Sequence, residues 1–273
     1  MIRLTVLGSC GTYPAPGRAC SGFLLEAARV PSKQDPQGSR MVRIWIDAGA
    51  GTLANLLRYT PLSDVDAIWI SHLHMDHCSD LPLANYALRH ANNPAPGYGS
   101  TEGPRVPVFG PPGWAEHVRA FMSAADYYPL EDAFEVHELV DEERIEIGPL
   151  KLMAAATVHG IETFGLRATL GNDTFSYSAD SGPCDGLTRL ADNADLFLCE
   201  AAWPTWPQGR PPIHMTPKLA GEWAADLGAR KLVLTHLRPG HDPKVAIDRA
   251  MQAYGHQVEV AVEGLTFELG KGS

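Results

Sequence analysis

The run His72-Leu73-His74-Met75-Asp76-His77 constrains this chain more than any other. It places four side chains that bind metals within six residues, directly after the apolar stretch Ala67-Ile68-Trp69-Ile70. A strand that ends in such a run presents ligands at a rigid sheet edge. In an extended loop, His72 and His74 alternate with Leu73, so their rings can converge on one ion. Asp76 and His77 lie further along and can address a second. One loop cannot close two coordination spheres, so partners must come from later in the chain. Three stand in suitable settings: His159 after the strand-like residues 150–158, Asp180 after 175–179, and His236 after 231–235. Imidazole and carboxylate suit zinc, manganese or iron(II) without any cysteine. A carboxylate has two oxygens and can bridge, which makes Asp180 the natural shared ligand. The expectation is a pair of divalent ions held at strand ends.

The rest of the chain fits a scaffold for such an edge. Residues 2–7 read as a strand, followed by a Gly/Pro-rich loop over 8–22. Residues 23–27 and 41–46 read as a strand pair joined by a polar hairpin loop over 29–40. Asp47-Ala48-Gly49-Ala50-Gly51 then turns into a helix of about ten residues. Helical spacing returns over 81–90 and 113–125, separated by a Gly/Pro/Asn-rich connection over 92–107 that is expected to be mobile and near the site. Strands follow at 134–139, 143–147, 150–158, 163–170 and 174–179. Thr216-Pro217 starts a helix that Gly228 ends, and Asp242-Pro243 starts another toward Tyr254. Helices and strands at both ends around a strand-rich middle predict an α/β fold of two mixed sheets packed together and flanked by helices. No linker divides the chain, so residues 1–273 are read as one domain.

Bulk properties remove several functions. A net charge of −10 disfavours a dedicated nucleic-acid binder, which usually carries a basic face. Neither a signal peptide nor an apolar run of about 20 residues is present, so no membrane span is expected and the cytoplasm is the expected location. The five cysteines, Cys10, Cys20, Cys78, Cys184 and Cys199, form no C-x-x-C pair and read as reduced thiols.

The His72-x-His74-x-Asp76-His77 run, with His159, Asp180 and His236, resembles the metal motifs of the metallo-β-lactamase superfamily. The resemblance runs from Gly8 to about Phe267. It implies an αββα sandwich in which His72, His74 and His159 hold one ion, Asp76, His77 and His236 hold the other, and Asp180 bridges. Zn²⁺ is the expected metal, with Mn²⁺ or Fe²⁺ as substitutes. Glu200-Ala201-Ala202 and His214-Met215-Thr216 further resemble the Glu and His-x-Thr elements of the ribonuclease Z-like branch. That implies a phosphodiesterase in which His214 assists the leaving oxygen and Glu200 orients it, beside the catalytic Asp76 and a water activated by the ions.

Ribonuclease Z itself carries a long arm that grips transfer RNA, usually inserted between the third ligand motif and the bridging aspartate. Here His159 and Asp180 are 21 positions apart, an interval filled by two predicted strands and a Gly171-Asn172-Asp173 turn. RNA is therefore not the expected substrate. The segments Ser71 to Cys78, Phe164-Gly165-Leu166-Arg167, Tyr177 to Gly182 and Leu198 to Ala201 are similar to the atypical class II cyclic-nucleotide phosphodiesterases of bacteria. The expected substrate is thus a small phosphodiester, foremost a 3′,5′-cyclic nucleotide such as cyclic AMP. A transfer-RNA 3′-processing endonuclease is the first alternative, and a thioester or lactam hydrolase the second. The resemblance also implies a homodimer. Arg18, Arg167 and Arg238 are candidates to touch phosphate or base, and Trp203 and Trp206 to stack on a base.

Overall fold

Alternating side chains build the strands, and each strand's two faces find different partners. The computed structural model describes residues 1–28, 40–91, 105–123 and 129–270. The chain runs β1 (Ile2–Gly8), β2 (Gly22–Ala28), β3 (Met41–Ile46), α1 (Thr52–Leu56), β4 (Ala67–Trp69), α2 (Met75–Cys78), α3 (Leu81–Ala91), β5 (Val106–Gly110), α4 (Trp114–Ser123) and β6 (Phe134–Glu138). It continues with β7 (Arg144–Ile147), β8 (Leu150–Ala156), β9 (Phe164–Leu170), β10 (Asp173–Tyr177), α5 (Asp185–Ala191), β11 (Leu196–Glu200), α6 (Pro217–Asp226), β12 (Leu232–Thr235), α7 (Pro243–Tyr254), β13 (Val258–Val260) and β14 (Thr266–Leu269).

Two seven-stranded sheets result, in the orders β14-β1-β2-β3-β4-β5-β6 and β13-β12-β11-β10-β9-β8-β7. Each is mixed: β3 to β6 run parallel in one and β10 to β13 in the other, while the remaining pairs are antiparallel. Ile44, Ile46, Leu196 and Leu198 point into a shared core between the sheets, with Phe23, Trp69, Phe164 and Phe175. Their neighbours point outward. Trp45 and Ile68 pack under α3 and α4 through Leu81, Leu88, Trp114 and Val118. Phe197 and Leu234 pack under α5, α6 and α7 through Leu187, Ala220, Ala224 and Ala250. The layers are helix, sheet, sheet, helix, as expected.

Several elements depart from the sequence reading. The helix after Gly51 is only five residues long, because Thr52 and Leu56 are its only buried positions and no longer apolar stripe extends it. Strand β5 contains Pro107, within the stretch read as a connection. Proline is tolerated there because β4 pairs only with Val108 and Phe109, so no ladder partner needs its missing N–H. The metal-binding run is not a fully extended loop, since Met75–Cys78 forms a helical turn. The predicted hairpin loop, except Arg40, and residues 92–104 of the predicted mobile connection lie outside the described residues. No helix among the described residues is long and apolar enough to cross a membrane.

Candidate metal centre

The carboxyl ends of five strands meet at one edge of the sandwich. β3 ends before Asp47, β4 before the 72–77 run, β10 before Asp180, β12 before His236, and β11 ends on Glu200 itself. His159 joins them because Val158 bridges to Gly182, and the Phe164 amide donates to the Ser71 carbonyl at 3.0 Å across the two sheets. Backbone shape completes the convergence. Thr12, Asp47, Ala179 and His236 all have positive φ, an uncommon conformation for residues with a Cβ. Such strain clusters where a fold over-determines a working geometry.

His72, His74, His159 and Asp180 offer ligand atoms that all lie within 4.8 Å of one another, as do those of Asp76, His77 and His236. His74 Nδ1 sits 3.1 Å from His72 Nε2 and 3.1 Å from His159 Nε2. The opposite ring nitrogens fix the protons. His159 Nδ1 donates to the Ile213 carbonyl at 3.0 Å, which leaves Nε2 as a bare lone pair. His72 Nδ1 lies 3.0 Å from Ser71 Oγ, whose own hydroxyl donates to Asp47 at 2.9 Å. His77 Nδ1 donates to Asp47 Oδ2 at 2.7 Å. Asp180 stands between the groups, with Oδ1 3.4 Å from His77 Nε2 and Oδ2 3.4 Å from His236 Nε2. Asp76 Oδ2 accepts the Thr12 amide at 2.6 Å and lies 3.1 Å from His236 Nε2.

This donor set fits divalent metal. Ligands around a tetrahedral ion with metal–nitrogen distances of about 2.1 Å are about 3.4 Å apart, close to the spacing seen here. His77 Nε2 and Asp180 Oδ1 are buried without a hydrogen-bond partner, as ligand atoms are before a cation satisfies them. Electrostatics agree. Burial, and then the charge of His77, holds His72 well below the usual histidine range. Burial also lowers His74 and His159, so these rings are neutral and ready to ligate. For Asp180 burial works against the charge, but His236 and His77 outweigh it and keep the carboxylate ionised.

A second pair adjoins this cluster. His214 Nδ1 donates to Glu200 Oε1 at 2.7 Å, and its ring lies 4.8 Å from that of His159 and 5.9 Å from that of His236. Glu200 is fully buried, yet satisfied: Oε1 also accepts from the Ser181 amide at 3.0 Å, and Oε2 from the Ala202 amide at 2.8 Å. Burial disfavours the charged imidazole, but Glu200 outweighs it and raises His214 above the usual histidine value. The ring is thus held in one orientation beside Asp180, with its protonated form favoured by Glu200.

With that geometry in place, the sequence comparison is decisive: residues 42–237 match the family model described as the β-lactamase superfamily domain. The chain belongs to this superfamily. As a member it is a metal-dependent hydrolase whose His/Asp cluster can bind metal. An uncharacterized protein of Mycobacterium tuberculosis is 33% identical and aligns over 98% of this chain and 92% of its own length. The Bacillus subtilis "Probable metallo-hydrolase YhfI" is 25% identical over 98% of this chain and 100% of its own. Its crystal structure superposes with a TM-score of 0.81 at 24% identity, covering 97% of this chain and 98% of that one. A ribonuclease Z of Myxococcus xanthus is 26% identical over 98% of each chain. The superfamily relatives thus include a ribonuclease by name, and the expectation that RNA is not the substrate gains no support from them.

All nine residues singled out from the sequence reach this edge, whereas the other candidates divide. Arg167 is tied to the Leu190 and Asp192 carbonyls on the far side of β9 from the centre. Trp203 is nearly buried, 5.3 Å from the His214 ring, and Trp206 is exposed. Asp47, Ser71 and Tyr177 were not singled out, although Asp47 binds His77, Ser71 and the Tyr177 hydroxyl at once. The available signal was a lone carboxylate directly after an apolar strand, in the small-residue run Asp47-Ala48-Gly49.

Proposed function

We propose that the protein hydrolyses small phosphodiesters, foremost a 3′,5′-cyclic nucleotide such as cyclic AMP. In this reading two divalent ions, Zn²⁺ by preference and Mn²⁺ or Fe²⁺ as substitutes, occupy the centre. His72, His74 and His159 hold the first, Asp76, His77 and His236 the second, and Asp180 is shared. Bound there, the ions supply Lewis acidity that favours hydroxide over water near neutral pH and offsets charge on phosphoryl oxygens.

The observation that carries the reading is the His214–Glu200 hydrogen bond of 2.7 Å beside Asp180. Phosphodiester cleavage needs a proton for the departing ribose oxygen, and the His214–Glu200 pair is suited to supply it. Glu200 fixes the ring and keeps it protonated, so His214 serves as general acid, a role worth about 10²–10⁴ in rate. Asp76 is held by the Thr12 amide and His236, and so keeps its second-ion position. The chain's own residues thus hold the ions and supply the proton.

Transfer RNA is the rival substrate, supported by the ribonuclease Z relative. That alignment extends over 315 residues, so the ribonuclease has positions without a counterpart in this 273-residue chain. Between His159 and Asp180 this chain has only β9, β10 and their turn, which favours the small substrate. Metal-loaded protein should release AMP from cyclic AMP and leave precursor transfer RNA uncut. Cleavage of the RNA without turnover of cyclic AMP would reverse the choice. We also propose that residues 1–273 act as one domain, as a homodimer and in the cytoplasm. The five free cysteines fit a reducing compartment, and light scattering in solution reads the oligomeric state.

A further inference from the structure

A cavity of about 1100 Å³ lies away from the metal centre, lined by Asp173 and Leu196 where β10 and β11 begin rather than end. Its charges answer one another. Arg230 pairs with Asp195 at 3.1 Å and Lys231 with Glu259 at 2.6 Å, so these four groups need no ligand. A second cavity, of about 720 Å³, adjoins His214. Its walls include both chain segments that flank this residue: Pro204, Thr205 and Trp206 before it, and Thr216 after it. The Trp203 amide donates to the Met215 carbonyl at 3.2 Å and ties those segments together. Arg249 of α7 also lines the cavity, and its Nη1 donates to the Pro204 carbonyl at 2.6 Å.

Aromatic rings lead from His214 to this cavity. The Trp203 ring lies 5.3 Å from the His214 ring, and the Trp206 ring 6.0 Å from that of Trp203, at an interplanar angle of 87°. Rings that meet edge to face leave at least one face of each uncovered by the other. The two tryptophans then part company. Trp203 is nearly buried against His214, whereas Trp206 is 40% exposed at the cavity wall. Pro204 and Pro207 restrict the backbone on either side of Trp206, and the Arg249 bond to Pro204 holds the segment against α7. A fixed indole with a free face is a platform for another flat ring, which gains by removing that face from water. The volume lies within the range of small-ligand sites, roughly 300–1000 Å³. Gln252 lines the same cavity with an amide that both donates and accepts hydrogen bonds.

We propose that this cavity receives the nucleobase of the substrate, stacked on Trp206. The inference rests on the phosphodiesterase reading and adds to it the recognition of the group that lies away from the metal. A ribose separates base from phosphate in a nucleotide, so a base site must stand near His214 but not upon it. Trp206 meets that requirement, being one ring removed from His214. Stacking on an indole accepts any base, because every base has a π face, and the Gln252 amide is placed to pair with polar atoms on a base edge. Trp206 is neither a proposed metal ligand nor a partner of the His214–Glu200 pair, so its loss should weaken base binding and leave the centre intact.

The test uses metal-loaded wild type, Trp206→Ala and Trp206→Phe. Calorimetry measures the binding of adenosine, AMP and inorganic phosphate, and steady-state rates give kcat and KM for cyclic AMP. Trp206→Ala should weaken adenosine and AMP binding roughly 5- to 100-fold and leave phosphate binding unchanged. The same variant should raise KM for cyclic AMP more than it lowers kcat. Trp206→Phe keeps a flat ring and should recover most of the adenosine affinity. Equal adenosine affinity in wild type and Trp206→Ala, or no adenosine binding by wild type, would overturn the proposal. So would an equal loss of phosphate and AMP binding, which would mean that the substitution disturbs the centre instead. Should wild type hydrolyse no cyclic AMP, the proposed function fails, while the adenosine titration still decides whether the cavity takes a base.

Discussion

Asp47 shows how far a single carboxylate can set a metal centre that it does not enter. Its oxygens accept from the Ser71 amide, the Ser71 hydroxyl, His77 Nδ1 and the Tyr177 hydroxyl, at 2.7 to 2.9 Å. The bond to His77 fixes which nitrogen faces the His/Asp cluster, and the Ser71 hydroxyl passes the same constraint to His72. Asp47→Asn should therefore lower zinc affinity about 10- to 100-fold while the protein stays folded, as read by competition with a coloured chelator. An unchanged affinity would mean that packing alone orients the rings. His214 is governed in the same way by Glu200. Because Glu200 raises its pKa, His214 stays protonated to higher pH than a free imidazole, whose value is about 6.5. The His214–Glu200 attraction likewise stabilises the fold fully below that value and is lost as pH rises through the folded-state pKa. In Glu200→Gln the alkaline limb of the kcat/KM profile should move to lower pH. A limb that stays in place would remove His214 as the acid. These roles were only partly legible beforehand. His72 to His77 announce themselves by density, whereas Asp47 is one carboxylate among many until the fold buries it beside His77.

At the level of elements, the site is made by strand ends and the tight turns that follow them. Gly182 is the clearest case. Its amide donates to the Val158 carbonyl at 2.8 Å, and a Cβ there would overlap the Pro212 carbonyl, two residues before His214. One glycine thus lets the segments of His159, Asp180 and His214 pack together. Gly182→Ala should cost about 1–3 kcal/mol by overpacking and shift His214 enough to cut turnover sharply. Gly160→Ala is the control, since a Cβ there meets nothing within 4 Å, and it should leave both the unfolding midpoint and turnover unchanged. Equal behaviour of the two variants in thermal unfolding and turnover would contradict the packing argument. Strands with alternating apolar residues, and helices announced by Thr216-Pro217 and Asp242-Pro243, were readable because local chemistry specifies them. Strand β5 was not, because its proline is acceptable only where the neighbouring strand ends. The helical turn Met75–Cys78 was hidden for a related reason: it is held by tertiary contacts such as Ala48 N–H to the His77 carbonyl at 2.7 Å.

For the whole molecule, the sandwich buries a shared core between its sheets and leaves one edge where parallel strands stop together. That edge gathers buried histidines and carboxylates whose desolvation a metal ion would relieve. The four-layer architecture follows from sequence periodicity and from the resemblance of the metal motifs, and the superfamily match agrees with both. Substrate choice is less legible, because it depends on what surrounds the centre rather than on the ligands that define the family. The short link between His159 and Asp180 and the buried His214–Glu200 pair are the features that favour a small phosphodiester. The most direct test is the rate of AMP release from cyclic AMP by wild type and His214→Ala at equal metal content. Wild type should turn over cyclic AMP, and the variant should be slower by about 10²–10⁴ with its metal retained. No turnover by metal-loaded wild type, or a variant as fast as wild type, would contradict the account.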